Sequence, residues 1–349
     1  MGSLNFLNKS EVNNSKSKNI FANVKNNYIL KKIFNNLCRK KLLEIIKYNK
    51  NIQKRININF KDYKEYSETY TPIEIEIIVD KGEYDKYYNE NNNFLYSIDK
   101  KNAQYFHIYF NNDFKKEIKR NFIKENDKVN NIKIIIDHQI KSLSYLFYNC
   151  RMIKSISFTK FYRNNIKDMS NMFEWCTSLK EVNFYKFNCT NVIYMNKLFH
   201  QCTKLKKLDL YNFNTDNLII MDEMFSWCIS LKEINFSNFN TNKVTDMGSL
   251  FSNCESLEEI NISNYNINNL KNIGMMFYCC KSLKKIKLPN LNTINEINMS
   301  YMFNGCSSLE ELDISNFIIT DKNKTDYMFF GCSEALKMKI RAQNKNLKI

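Results

Sequence analysis

Eight of the eleven cysteines stand 26 residues apart, at Cys150, Cys176, Cys202, Cys228, Cys254, Cys280, Cys306 and Cys332. Thiols in such a series could ligate a metal, pair as disulfides, or pack. Zinc sites use C-x-x-C or Cys/His spacing. Here the only neighbouring cysteines are the adjacent Cys279 and Cys280, and the three histidines, His107, His138 and His200, stand at no ligand spacing. Stacked units about 5 Å apart would bring successive thiols within reach of a disulfide. A bridge also needs an oxidising compartment. A regular ladder needs neither metal nor oxidant if each cysteine is a small apolar residue filling an inner seam. The rest of the sequence adds no reactive motif. There are six glycines and no glycine-rich phosphate loop, no H-E-x-x-H and no G-x-S-x-G. Carboxylates fall on expected surface positions. No catalytic, cofactor-binding or metal-ligating residue is expected, and an enzyme is not.

The elements that carry the cysteines keep the same phase. A Leu/Met-Phe pair precedes each one, from Leu146-Phe147 to Met328-Phe329, and Leu179, Leu205, Leu231, Leu257, Leu283 and Leu309 follow three residues after their cysteines. Met169, Met172, Phe173 and Cys176 are spaced i, i+3, i+4, i+7, which predicts a helical turn or two. Val182 and Phe184 then alternate as in a short strand. Phe187-Asn188 opens a corner, and Asn188, Asn214, Asn240, Asn266 and Asn292 repeat there. Stacked asparagines can satisfy corner backbone groups from coil to coil. Repeats of this period are supersecondary units that bury their apolar stripe only against neighbours. The expected fold is an α/β solenoid, eight 26-residue helix–strand units in a right-handed stack with a parallel sheet, behind an N-terminal α+β cap.

Residues 179–184 (L-K-E-V-N-F), 239–241 (F-N-T), 244–247 (V-T-D-M) and 302–306 (M-F-x-x-C) resemble the BspA-type leucine-rich repeat. The resemblance covers about residues 141–340. It implies a parallel-sheet solenoid and a role in adhesion or protein binding. No signal-peptide core or apolar run long enough for a membrane span is present, so a cytoplasmic location is expected, against the surface role of the family's bacterial members.

Strand residues that alternate with the core ones point outward and form the expected partner face: Glu181, Asn183 and Tyr185; Lys207, Asp209 and Tyr211; Glu233 and Asn235; Glu259 and Asn261; Lys285 and Lys287; Glu311 and Asp313. Tyr185 and Tyr211 are its best anchors.

Ahead of the repeats, residues 1–24 read as a disordered basic arm, 25–57 as helices and 58–140 as an α+β capping region with strands near 73–80, 104–110 and 132–136. The I-L-x-x-I-F-x-x-L core at 29–37 is similar to an F-box, without that motif's Leu-Pro and Trp. The similarity implies docking of a Skp1-like adaptor through Ile33, Phe34 and Leu37, while a plain helical cap explains the same pattern. Repeats end near 340, and 341–349 read as a polar tail, with the lysine-rich 337–349 closing the stack.

The net charge is +16, and residues 1–55 hold 13 Lys/Arg against 2 acids. Such an arm could meet an acidic partner, RNA or a membrane surface. The repeats do not interleave basic and aromatic outward positions, so nucleic acid ranks last. The expected function is a non-enzymatic protein-binding scaffold, with an F-box-type substrate receptor or a surface adhesin as alternatives.

Overall fold

The computed structural model describes residues 24–35, 42–43, 49–59, 61–62, 71–80, 92–96, 102–124, 126–137, 140–184, 187, 189–289, 296–315, 317–320, 322–344 and 347. The chain forms two compact units that divide between Thr71 and Pro72.

In the first unit, helices Asn27–Asn35 and Lys50–Ile56 pack through Leu30 and Ile52, with Leu43 beside them. Asn26 caps the first helix by accepting from Tyr28 N at 2.8 Å, and Asn49 caps the second by accepting from Ile52 N at 3.0 Å. Arg55 ties the helices together, donating to Asn27 Oδ1 at 2.7 Å and to the Lys25 carbonyl at 3.0 Å.

The second unit opens with strands β1 (Ile73–Val79), β2 (Asn92–Asn93), β3 (Phe106–Phe110), β4 (Glu117–Ile118), β5 (Phe122–Ile123) and β6 (Asn131–Ile136). Isoleucines alternate inward along β1, where Ile73, Ile75 and Ile77 are fully buried. The first repeat supplies β7 (Ile153–Lys160), and the sheet runs β4-β3-β6-β1-β7-β8, with β8 at Glu181–Asn183. β7 is the seam of the unit: it pairs antiparallel with β1 and parallel with β8. From there on the strand pairing is parallel, at one 26-residue step per coil. β9 (Lys207–Asp209) pairs with β10 (Glu233–Asn235), and β12 (Lys285–Lys287) pairs with both β11 (Glu259–Asn261) and β13 (Glu311–Leu312); the single parallel sheet expected is thus interrupted between β8 and β9 and between β10 and β11. A second parallel line of bridges runs the whole length, Ser142–Asp168–Tyr194–Ile220–Asp246–Asn272–Asn298–Lys324. The repeated strand units thus stack as in a solenoid.

The predicted helical half of each unit is not a helix. Residues 169–176 are a run of turns. Met172, Glu174 and Cys176 donate back to the carbonyls three residues earlier, while Met169, Asn171, Phe173 and Trp175 donate to Tyr194, Asn196, Leu198 and His200 of the next coil. Half of the N–H groups a helix would use are spent between coils. Asn171 and Trp175 sit at φ 60° and 64°, and the two positions repeat in phase through Gly305 and Gly331. A left-handed residue every four positions stops helix propagation while leaving the i, i+3, i+4, i+7 side chains facing inward.

Three columns run along the stack. Phe147, Phe173, Phe199, Phe225, Phe251, Phe277, Phe303 and Phe329 stack with ring centroids 5.3 to 6.0 Å apart. Seven cysteines, Cys176 to Cys332, each donate from Sγ to the carbonyl of that column's phenylalanine one coil back, at 3.0 to 3.2 Å. Burial pushes the Cys228 and Cys280 thiols up to about 12, so they act as S–H donors. The third column is polar and half-buried, at the margin of the core. Asn272 donates to Asp246 Oδ1 at 3.0 Å and Asn298 to Asn272 Oδ1 at 3.2 Å. The corner asparagines do bond between coils, but not to one another as a stacked ladder would: Asn240 donates to Asp216 and Asn266 to Asn242, and it is the Thr215 and Thr241 hydroxyls that bond the Asn240 and Asn266 backbones. Asn188 and Asn292 lie outside the described residues.

Two tests follow from these columns. A Cβ on Gly248 would sit 2.4 Å from Asn272 Nδ2, so Gly248→Ala should cost about 1–3 kcal/mol in denaturant unfolding. Adding Asn272→Ala should return part of that loss, and an unmoved midpoint in the single variant would show that the amide ladder does not constrain this position. Cys228→Ala should cost about 1–2 kcal/mol, losing both packing and the thiol donor. In thiol labelling, Cys279 should react first among the described cysteines, being half-buried. Rapid native labelling of Cys228 would contradict the sealed column.

Candidate functional site

The outward strand face is built as its alternation demands. Glu181, Asn183, Lys207, Asp209, Tyr211, Glu233, Asn235, Glu259, Asn261, Lys287, Glu311 and Asp313 are exposed, and Lys285 is half-exposed. Tyr185 lies outside the described residues. Inward neighbours such as Leu208, Ile260 and Ile286 are buried, so the face rests on a rigid support.

The exposed positions divide by chemistry. In the first row, Lys207 pairs with Glu233 at 2.7 Å and Lys285 pairs with Glu311, each across one coil step. Such surface pairs contribute little to stability, but they leave this row largely neutralised. The second row is turned back on its own chain. Asp209, Asn261 and Asp313 accept from the backbone N–H groups of Tyr211, Ser263 and Ser315 at 2.9 to 3.1 Å, and Asn235 accepts from the Ser237 hydroxyl at 3.0 Å. These side chains end the strands. Tyr211, half exposed at 50%, presents an amphipathic ring with no such duty.

Sequence reasoning missed a set of titratable groups on the turn side of the coils. Lys197 Nζ lies 3.5 Å from Glu223 Oε1, and His200 Nδ1 lies 3.5 Å from Glu223 Oε2. That nitrogen is buried and makes no hydrogen bond. Burial, against the pull of Glu223, holds His200 below the usual histidine range. Burial also raises the Glu174 carboxyl, which accepts from Asn171. The signal was one of phase, since Glu174 and His200 hold equivalent positions in successive coils. His107 bridges Glu117 Oε1 at 2.8 Å and Asp137 Oδ2 at 3.2 Å. Burial lowers its pKa, and the two carboxylates outweigh that and raise it. His138 lies outside the described residues. Among the described residues no group of three or more His, Cys, Asp or Glu is placed to hold a metal ion, and no helix is long and apolar enough to cross a membrane.

Of the F-box-like positions, Ile33 is half-buried on helix Asn27–Asn35. Phe34 lies on the same helix, with its side chain outside the described set, and Leu37 lies outside the described residues altogether.

The model of the family described as "Mycoplasma protein of unknown function, DUF285" matches residues 141–258 and 227–343. Together these overlapping spans cover more than half of the chain. The chain belongs to the DUF285 family. Both matches fall within the second unit, on the stacked coils. No curated protein matches the chain. The DUF285 description names no activity, so the functional reading stands on the chain's own surface.

Asp222 supplies a pH test of the turn side. Burial first, then Asp246 and Glu223, raises its carboxyl from 3.8 to about 6. The folded chain therefore binds this proton more tightly than the unfolded one. The stability this contributes is complete below 3.8 and is lost as pH rises through about 6. Asp222→Asn should gain about 1–2 kcal/mol at pH 7.5, after discounting for solvent screening, and nothing at pH 3.5. Equal gains at both pH values would place the effect in packing and not in charge.

Proposed function

We propose that this DUF285 chain is a non-enzymatic protein-binding scaffold of the BspA-type leucine-rich-repeat kind, with the outward strand face as its contact surface. The observation that carries the reading is the contrast between the two sides of the strands. Inner strand positions hold Val, Ile or Leu in every coil, buried at Leu208, Ile260, Ile286 and Leu312 and half-buried at Val182 and Ile234, while outer positions vary in charge and size from coil to coil. A rigid, extended, variable surface suits recognition of another macromolecule. Solenoid surfaces of this kind bind through a few rigid anchors set among weaker polar contacts. Tyr211 and, in sequence, Tyr185 are the anchors expected here.

The test is a partner census by affinity capture with the full chain, followed by quantitative binding to the recovered partner. Tyr185→Ala with Tyr211→Ala should weaken that binding by about tenfold or more. Undiminished binding would remove the strand face as the site. A Skp1-like adaptor lost on Ile33→Asp would favour the substrate-receptor alternative.

A further inference from the structure

The row at the entry to the strands, Lys154 within β7 and the others just before β8, β9 and β10, carries a charge pattern unlike its neighbours. Lys154, Lys180, Lys206 and Lys232 occupy the same position in four successive coils, and all four are exposed. Backbone bonds fix the register of two of the three steps: Lys180 N donates to the Lys154 carbonyl and Lys232 N to the Lys206 carbonyl, each at 2.9 Å; at the middle step, where β8 and β9 do not pair, the coils are joined on the turn side by the Asp168–Tyr194 bridge. With coils about 4.8 Å apart, the four cations line up over about 14 Å. Like charges directly opposite on neighbouring strands are destabilising.

The next three coils handle the same position differently. It reads Glu258, Lys284, Glu310, and Lys284 pairs with Glu258 at 2.8 Å. The Lys284 N–H also donates to the Glu258 carbonyl at 2.8 Å, so the register is the same one. The stack therefore neutralises this row in its C-terminal half. Among the described residues, Lys154, Lys180, Lys206 and Lys232 make no such ion pair, and the acid that senses the row, Glu258, feels Lys284 first and Lys232 last.

We propose that these four lysines seat an extended acidic segment of a partner protein. The inference rests on the scaffold reading and names one part of what the scaffold takes. Charge complementarity selects an anion, and the surroundings select its class. The stripe is one residue wide. Beside it the row reads Glu181, Lys207, Glu233, with Lys207 paired to Glu233, so Glu181 is the carboxylate left to repel the broad phosphate array of a duplex or an anionic bilayer. Its other flank carries Arg151, Thr177, Thr203 and Ile229; the rings near it, the half-buried Trp175 under Arg151 and the exposed Trp227, stand two coils apart with Gln201 between them, so they form no continuous platform for stacked nucleic-acid bases. An extended peptide suits this mixture. Its carboxylates on one face recur about every 6.7 Å, within the sweep of flexible lysine side chains. Its backbone N–H groups offer donors to Glu181.

The test uses the full chain and a fluorescein-labelled peptide of alternating Glu and Ser, followed by anisotropy across a salt series. Changing all four lysines to Gln should weaken binding by about tenfold or more and flatten its salt dependence. Changing all four to Arg should retain binding, which separates loss of charge from loss of fold. Lys284→Gln, at the paired position, should change affinity by less than about twofold. Equal affinity in the Gln variant, or no binding by the unaltered chain, overturns the proposal; the first result would move the anion to the basic N-terminal residues. Single-stranded RNA or phosphatidylserine vesicles losing more affinity than the peptide in the Gln variant would also overturn it. If the row fails while the tyrosine variant still loses its captured partner, only the acidic-segment inference falls.

Discussion

The register between coils is the constraint from which everything else follows. A single 26-residue coil cannot bury its own Phe, Cys and Met side chains, because each inner residue has its partners one coil above and one below. The Phe147–Phe329 column, the thiol-to-carbonyl bonds and the Asp246–Asn272–Asn298 ladder all depend on the same step. One inserted residue would misalign all three at once. This is why cysteine suits its position better than its neighbours in size would. Alanine has no donor for the phenylalanine carbonyl, and serine brings a hydroxyl with a larger desolvation cost into a seam with no measurable exposure from Cys150 to Cys306.

A stack held by neighbours has two ends that lack one, and each end is closed by a different device. At the first coil, β7 turns from parallel pairing with β8 to antiparallel pairing with β1, so the cap sheet continues the hydrogen-bond network with its own strands. At the last coil, helix Glu334–Gln343 lies over the core with Leu336 and Ile340 buried. Its side chains then replace the missing coil. Gln343 accepts from Ile314 N at 3.0 Å and donates to the Leu312 carbonyl, and Asn344 donates to the Phe317 carbonyl at 2.8 Å. Where the sequence reads as a lysine-rich 337–349 with a polar tail at 341–349, the structure has a helix that begins earlier, at Glu334, and whose Gln343 and Asn344 meet the last coil through amides.

What the sequence made legible were the features that depend on residue type at a fixed phase. The period, the Phe and Cys columns, the Asn corner and the inward–outward alternation of the short strands are of this kind. The turn run was misread because its inner side chains have helical spacing, while the property that decides against a helix is backbone sign. Trp175, Lys197, Gln201 and Glu223 take positive φ without advertising it. Gly305 and Gly331, and the asparagines Asn149, Asn171 and Asn253, are the residue types that favour that conformation, and they are scattered among residues that do not. On the strand face, outward positions were readable, but their pairing was not. Whether Lys207 is available to a partner depends on Glu233, a residue 26 positions away that matters only once the coils are stacked.

The same reasoning explains where variation can go. Any change at an inner position is felt by three coils, whereas a change at an outer position alters one rung of a ladder and leaves its support intact. Rows of outer side chains are therefore free to be written independently of one another. The row at 154, 180, 206 and 232 is uniformly cationic, then alternates in sign from Glu258 onward. The row beside it alternates from Glu181 through Lys207 to Glu233. Each rung by itself is a weak surface charge worth well under 1 kcal/mol in water. A partner laid along the stack meets the rungs in order at about 4.8 Å per step, so its recognition is a sum over a sign pattern and not a single deep contact. Such a sum is sensitive to register, and the buried columns hold that register fixed.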